Sequence, residues 1–353
     1  MTVITPAALK SLAMTILRAV GTDELNAEVV AEHLVSANLC GVDTHGIRTL
    51  PGYVDDIAKG YIVPTAGPTV LNESSTTALI SGNWGFGQVT AKFAMERAIE
   101  KAAAANIAIV ALVQVNHIGR LGQYAEDAAA KGMISMIWAG GFGEEAPAAV
   151  PYGGRTKLLH TNPIAMGFPG GEEARLMFDF ATTAASGVKV LNAYRRNEPL
   201  PEGWIVDKEG NPTCTASDFY EGGGHIPFGG YKGYAFMMAA EFLGRILTGS
   251  DAHAQADRGG PIMRHQGITM IVTRPDLFQP FTDYARRADD LIRRTHAIPP
   301  APGFKEVLVP GDPELRTRAL RQRDAIPIPE DHWQELIQVT QSLGLTIPNE
   351  HLG

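Results

Sequence analysis

Apolar residues along this chain recur at helical spacing in some stretches and run unbroken in others, and the alternation predicts its elements. Thr5 can cap a helix that opens at Pro6, with Leu9, Leu12, Ala13, Ile16, Leu17 and Val20 on one stripe and Gly21 at its end. A second helix is predicted over 23–39. The stretch 64–87, rich in Gly, Pro, Ser and Thr, marks a change of organisation, and helical spacing resumes over 88–105. Residues 107–113 are apolar at every position, which predicts a short buried strand. A helix over 123–131, strands over 134–138, 164–168 and 176–180, and a helix over 184–194 continue the alternation. An irregular stretch, 195–227, precedes a helix over 231–247 and a strand over 268–272, and helical patterns over 278–295, 313–323 and 330–343 close the chain. Strands interleaved with helices predict an α/β core flanked by helical segments at both ends.

Composition narrows the reading without redirecting it. At 353 residues, 45% hydrophobic and 19% charged, the chain has a globular balance and room for two domains or one large one with attachments. Its net charge of −8 comes with no Lys/Arg-rich block, which argues against a nucleic-acid partner. A few local arginines would still serve a small anionic substrate. Cys40 and Cys214 lie far apart and form no CxxC, so no disulfide framework is expected. The first residues lack a basic-then-apolar leader, and no run reaches the roughly 18 apolar residues of a membrane span. A soluble cytoplasmic protein, with no membrane partner, is expected.

Chemistry concentrates in glycine-framed polar islands. The most informative is 115–122, where Asn116, His117, Gly119 and Arg120 stand between the 107–113 strand and the following helix. Such a junction offers backbone N–H groups to an anion beside a side chain that titrates near neutral pH. Others are Gly41–Arg48 around His45, Asp179-Phe180-Ala181-Thr182-Thr183 at a strand end, Pro227–Gly233 with Lys232, and Pro310-Gly311-Asp312 at an expected strand-to-helix turn. Each has an ordinary alternative: His45 bonded to a nearby carbonyl, Asp179 an N-cap, Lys232 a solvated surface lysine. Phe236, Met237 and Met238 read as helix core, and the pairs Arg286-Arg287 and Arg293-Arg294 as a solvated helix face. Gly141-Phe142-Gly143-Glu144-Glu145-Ala146 formally fits a dinucleotide fingerprint. The prolines that follow cannot open a helix and two glutamates would repel a pyrophosphate, so it is rejected. No P-loop, G-x-S-x-G or zinc spacing occurs, and no metal is expected.

Five motifs in order, Thr44-His45-Gly46 with Tyr53, Asn116-His117-Ile118-Gly119, Thr161-Asn162-Pro163, Asp179-Phe180-Ala181-Thr182 and Lys232-Gly233-Tyr234, resemble the malate/L-lactate/ureidoglycolate dehydrogenase family. The wording around Asn116–Arg120 and Pro201-Glu202-Gly203-Trp204 looks most like its hydroxycarboxylate dehydrogenase branch. The resemblance implies a non-Rossmann nicotinamide-binding α/β core with a mixed sheet, over 76–311. It implies a helical domain built from both chain ends, 1–75 and 312–353. The family's reaction is reversible hydride transfer between NAD(P)H and a 2-oxo or 2-imino acid, NAD and NADP being left open, in a homodimer. By motif, His117 or His45 exchanges the proton, with His117 favoured, and Asn162 shapes the pocket with Tyr53. Asp179, Phe180, Ala181, Thr182, Thr183, Lys232, Gly233, Pro310, Gly311 and Asp312 match cofactor-holding segments.

Chemistry adds the requirement for a base near the carbinol oxygen and a guanidinium for the substrate carboxylate. Arg120 is the first candidate clamp and Arg48 the second. Rival readings are an imino-acid reductase on the same scaffold and a non-catalytic cofactor-binding protein. Three departures from relatives stand out: Thr49 in place of an arginine, Thr44 in place of serine, and Ala139-Gly140-Gly141 in place of a more polar turn. The glycine-rich stretch 220–225 reads as a cover over the site.

Overall fold

The computed structural model describes residues 2–142, 144–173 and 175–346. Gly143 of the rejected fingerprint and residues 347–353 of the expected helical domain lie outside them.

A strand β1 (Thr2–Ile4) precedes α1 (Pro6–Ala19), whose first turn is capped by Thr5 Oγ1 accepting from Ala8 N. Asp23 caps α2 (Glu24–Leu39) in the same way, through Asn26 N. Two 3-10 turns, Asp43–His45 and Ile47–Thr49, lead into α3 (Leu50–Ala58). The Gly/Pro-rich stretch then holds two strands that its composition hid, β2 (Thr69–Glu73) and β3 (Thr77–Ser81). Next come α4 (Gly87–Ala105), β4 (Ile107–Val113), α5 (Leu121–Ala130), β5 (Ile134–Gly140), β6 (Ile164–Phe168) and β7 (Leu176–Phe180). After α6 (Gly187–Arg196) the expected irregular stretch contains β8 (Ile205–Val206), β9 (Pro212–Thr213), α7 (Ala216–Tyr220) and β10 (Gly224–His225). The chain continues through α8 (Tyr231–Glu241), α9 (Gly260–Met263), β11 (Gly267–Thr273), α10 (Phe281–His296), α11 (Asp312–Asp324), β12 (Ile326–Ile328) and α12 (Glu330–Ser342).

The central sheet runs β2-β3-β4-β11-β5-β6-β7, with only β3 and β4 parallel, joined by the crossover helix α4. Helices α4 and α5 cover one face, where Ala91, Ala94 and Ala98 meet Val110, Leu112 and Met270 in one apolar cluster. A second cluster brings Leu9, Leu12, Ile16, Val30 and Leu34 onto Ile326, Ile328, Trp333 and Leu336. Strands β1 and β12 pair antiparallel beside it, so the two chain ends share one core.

Several expectations need correction. Strand β4 is buried along its whole length on one face only: Ala108, Val110 and Leu112 point inward, while on the other Ile107 (44%) and Ile109 (37%) are exposed and burial returns at Val113. An apolar run reads the same whether its second face is covered by this chain or left open. The 231–247 helix breaks into a π-helical turn, Phe242–Ile246, where a Cβ on Gly244 would strike the Gly140 backbone. Phe236 is exposed and stacks at 6.5 Å on Trp138, whereas Met237 is core. Residues 224–225 form a buried strand paired with β8, with His225 N bonded to Ala148 O, so 220–225 is no loose cover. Pro310-Gly311-Asp312 follows a loop rather than a strand.

Candidate active site

His45 and His117, 72 positions apart, meet at the junction of the two cores: His45 Nδ1 lies 3.1 Å from His117 Nε2, with the rings stacked at 5.1 Å. Behind them Tyr53 Oη lies 2.7 Å from His117 Nδ1 and accepts from Gln88 Nε2 at 2.6 Å. Both nitrogens of His117 are therefore engaged. His45 is half-buried, and its Nε2 has no protein partner among the described residues.

Each ring is held by the local backbone. The His45 turn is gripped by Asn38, whose Nδ2 donates to Asp43 at 2.6 Å and whose Oδ1 accepts from Ile47 N at 2.8 Å. Arg321, from α11, forks onto the Asp43 carboxylate at 2.7 and 3.0 Å, so the C-terminal segment braces the His45 loop. The His117 segment is tied down by Asn116 Nδ2 donating to Trp84 O and Gly85 O, and by Gln266 Nε2 donating to the Val115 and Asn116 carbonyls.

Arg120 caps this segment but is 1% exposed and already paired with Glu126 at 2.5 Å. Glu126 is shared with Arg318 at 2.8 Å. The Arg120 backbone N donates to His33 Nε2 at 2.9 Å. Its Nε and Nη1 are buried without partners, so part of its hydrogen-bonding capacity is unused. Arg48 is half-buried and forms no ion pair among the described residues.

Burial governs the electrostatics. It lowers His45 to about 4, aided by the positive charges of Arg120 and Arg48. His117 is pushed well below its ordinary value by burial, then by His45 and His33. Tyr53 is raised to about 12 because its anion would be desolvated. At neutral pH the imidazoles and the phenol are all uncharged.

The remaining motif residues join this centre through backbone links. Asp179 Oδ2 accepts from Gly122 N at 2.7 Å, capping α5 rather than a helix of its own. Burial raises its carboxyl to about 6, against the Gly122 hydrogen bond. Met177 N donates to Pro310 O at 3.2 Å, and Phe228 N donates to Thr182 O at 3.0 Å. The 227–233 island thus sits beside 179–183, with Phe180 and Phe228 edge to face at 5.4 Å.

Not every named residue faces outward. Thr182 Oγ1 donates to the carbonyls of Thr161 and Asn162, and Thr183 Oγ1 to that of Ala185. Asn162 is fully buried with φ of 35°, and its Nδ2 donates to Met237 O and Glu241 Oε2. Asp312 faces His296 and Val309 N, at 2.7 and 2.9 Å. Gly233 packs against Phe228 O, leaving no room for a side chain. Phe180 and Lys232 are exposed, and Lys232 makes no hydrogen bond or ion pair among the described residues.

Sequence reasoning passed over His33, Asn38, Gln88, Glu126, Arg318 and Arg321. The available signal was a histidine and an asparagine inside the otherwise apolar stripe of α2, where His33 and Asn38 are both buried.

Comparison with known proteins places this geometry. The sequence profile described as malate/L-lactate dehydrogenase matches residues 4–337. The L-sulfolactate dehydrogenase of Methanocaldococcus jannaschii is 34% identical over 96% of each chain. A solved sulfolactate dehydrogenase from that organism superposes with a TM-score of 0.89, over 99% of this chain and 100% of that one. Hydroxycarboxylate dehydrogenase B of Escherichia coli K12 is 33% identical over 98% of this chain and 94% of its own. The δ1-piperideine-2-carboxylate reductase of Pseudomonas syringae is 30% identical with a TM-score of 0.83, covering 96% of this chain and 100% of that one. With sequence and fold agreeing along nearly its whole length, this chain belongs to the malate/L-lactate dehydrogenase family.

Proposed function

We propose that this protein is an NAD(P)-dependent 2-hydroxy acid dehydrogenase in which His45 exchanges the proton with the substrate oxygen. The observation that carries this reading is the His45–His117 pair, which leaves one imidazole nitrogen, His45 Nε2, free at the edge of a desolvated site. His117, enclosed by Tyr53 and His45, orients that ring instead of reaching substrate, which reverses the preference drawn from sequence. Tyr53 acts through His117.

The nicotinamide, when bound, supplies or accepts the hydride at the substrate's C2. His45 Nε2 carries the proton toward the oxygen in reduction and takes it in oxidation, since an alcohol releases hydride readily only as its proton leaves. Arg48, the unpaired cation beside His45, suits the substrate carboxylate better than Arg120, whose fork is partly occupied by Glu126. Burial is the larger cause of the low His45 value, and a bound carboxylate would offset the positive charges of Arg120 and Arg48 that add to it.

The residues fit a nicotinamide dinucleotide. Phe180 offers exposed ring surface beside half-buried Phe228, the Gly229-Gly230 backbone approaches without side chains, and Lys232, unpaired among the described residues, suits a phosphate. Asp179, Thr182, Thr183, Asp312 and Asn162 support that surface from behind. Both cores contribute: the one that gathers α1 to α3 with β12 and α12 brings His45, braced from α11, and the central sheet, to which β2 belongs although the sequence placed 69–73 in the helical domain, brings His117 and the strand ends. Free Cys40 and Cys214 support a reducing, cytoplasmic setting. No helix among the described residues is long and apolar enough to cross a membrane.

A second copy covering the open sheet face around Ile107, Ile109 and Leu71 would complete a homodimer. Sedimentation should report a dimer for the wild type and a monomer for Ile109→Glu; a wild-type monomer excludes this arrangement. The activity itself is tested with oxaloacetate, 3-sulfopyruvate and pyruvate, the last with and without methylamine, each with NADH and NADPH. Turnover of a 2-oxo acid without amine is expected. Turnover only with methylamine would favour imino-acid reduction, as the piperideine-carboxylate reductase name suggests for that relative. Binding of NADH without oxidation by any of them would leave a non-catalytic binding protein.

A further inference from the structure

Gln88, a residue no motif marks, stands at the back of the histidine pair. It lies in the first turn of α4 and is 1% exposed. Its Nε2 donates to Tyr53 Oη at 2.6 Å, and Tyr53 Oη is 2.7 Å from His117 Nδ1. The other end of the amide, Oε1, is buried with no partner among the described residues. A buried acceptor left unpaired costs about 1–3 kcal/mol, and an apolar side chain of similar size would avoid that cost. Stability alone therefore does not explain an amide here.

The same helix end also holds the main chain that carries His117. A Cβ on Gly87 would strike the carbonyl oxygens of Asn116 and His117, so α4 is docked against that backbone without a side chain between. Gly87 sets the backbone of the histidine and Gln88, through Tyr53, sets its ring.

Donor and acceptor roles give this row a direction. An amide N–H can only donate, so Tyr53 Oη accepts from Gln88, and the phenol hydrogen is left to turn to His117 Nδ1, 2.7 Å away. A neutral His117 that accepts at Nδ1 carries its hydrogen on Nε2, which faces His45 Nδ1 at 3.1 Å. His45 accepts there and, when neutral, carries its hydrogen on Nε2, the edge free of protein partners. Turning the Gln88 amide over would place oxygen on Tyr53 and reverse every hydrogen in the row.

We propose that Gln88 is a positioning residue: through Tyr53 it sets the hydrogen-bond direction of the His117–His45 pair, so that His45 presents a hydrogen to the substrate oxygen. The proposal rests on His45 being the group that meets substrate. In Gln88→Leu, kcat for reduction of the best 2-oxo acid falls about tenfold while both KM values stay within twofold. Tyr53→Phe has a similar effect, and the double variant is no worse than Tyr53→Phe alone. Wild-type kcat in Gln88→Leu, or effects that add in the double variant, overturns the proposal. Imidazole nitrogen NMR of the wild type supplies a readout independent of activity and of how the variants fold. It should show neutral His117 protonated at Nε2, and protonation at Nδ1 overturns the proposal. If His45→Ala retains full activity, the underlying assignment of His45 has failed instead, whatever the spectrum shows.

Discussion

Two regions that look alike in sequence, each a polar motif framed by glycine, differ in almost every physical respect once folded. Around His45 and His117 the polar groups run from buried Gln88 and Tyr53 to the half-buried imidazoles, bonded in a row that ends at a nitrogen without a partner among the described residues. Around Phe180 and Lys232 the threonine hydroxyls are spent on backbone carbonyls, while aromatic rings and a cation stand exposed. The first arrangement fixes orientation and protonation in advance, as proton transfer requires. The second leaves surface and charge unsatisfied, as a binding platform requires. Burial, rather than residue type, separates the proposed chemical site from the proposed holding site.

Breaking the buried region should have the largest effect. His45→Ala is expected to lower kcat by about 10²–10⁴ with cofactor affinity little changed. His117→Ala should fall short of that loss, because it removes the orienting partner and not the proton carrier. Equal activity of His45→Ala and wild type, measured with both reduced cofactors, would remove His45 from the chemical step.

Acid should distinguish the regions next. Burial lowers His33 to about 3 and His45, His160 and His225 to about 4, with His117 also well below its ordinary value. An unfolded histidine titrates near 6.5, so between roughly pH 6.5 and 4 the unfolded chain binds more protons than the folded one. Stability is then fully present above about pH 6.5 and is lost as pH falls toward 4. Urea midpoints at pH 7 and pH 5 should differ by several kcal/mol in unfolding free energy; equal midpoints would show that these imidazoles are not held neutral.

The exposed region should respond most gently. Lys232→Ala is expected to raise the KM for the nicotinamide cofactor about tenfold, close to 1.4 kcal/mol, with kcat nearly unchanged. Its melting temperature should not move, because Lys232 has no structural partner among the described residues. A fall in kcat with unchanged cofactor KM would place Lys232 in the chemistry and erase the contrast.

Legibility along the chain followed how local the cause was. The Thr5 cap, the helical stripes of α1 and α4, and strands β6 and β7 were readable because neighbours in sequence determine them. Strands β1 and β12 were not, since each is three residues long and meets its partner only across nearly the whole sequence. The two-residue strands within 195–227 escaped through their shortness as well. His45, His117 and Tyr53 were marked by motif, yet their hydrogen-bonded order was not. Gln88, Asn38 and Arg321 carry no motif and gain meaning only from what they touch.

From its amino acids alone the chain determined its α/β character, the helical contribution of both ends, the family motifs and the set of polar side chains available for chemistry. Those depend on periodicity, capping and composition, which act over a few residues. Tertiary structure decided which histidine has a nitrogen without a partner among the described residues, that Arg120 is committed to Glu126, and that the sheet face beside Ile107 and Ile109 stays open. Hydrogen-bond partnership and desolvation are set by groups tens to hundreds of positions away, and only the folded chain brings those groups together.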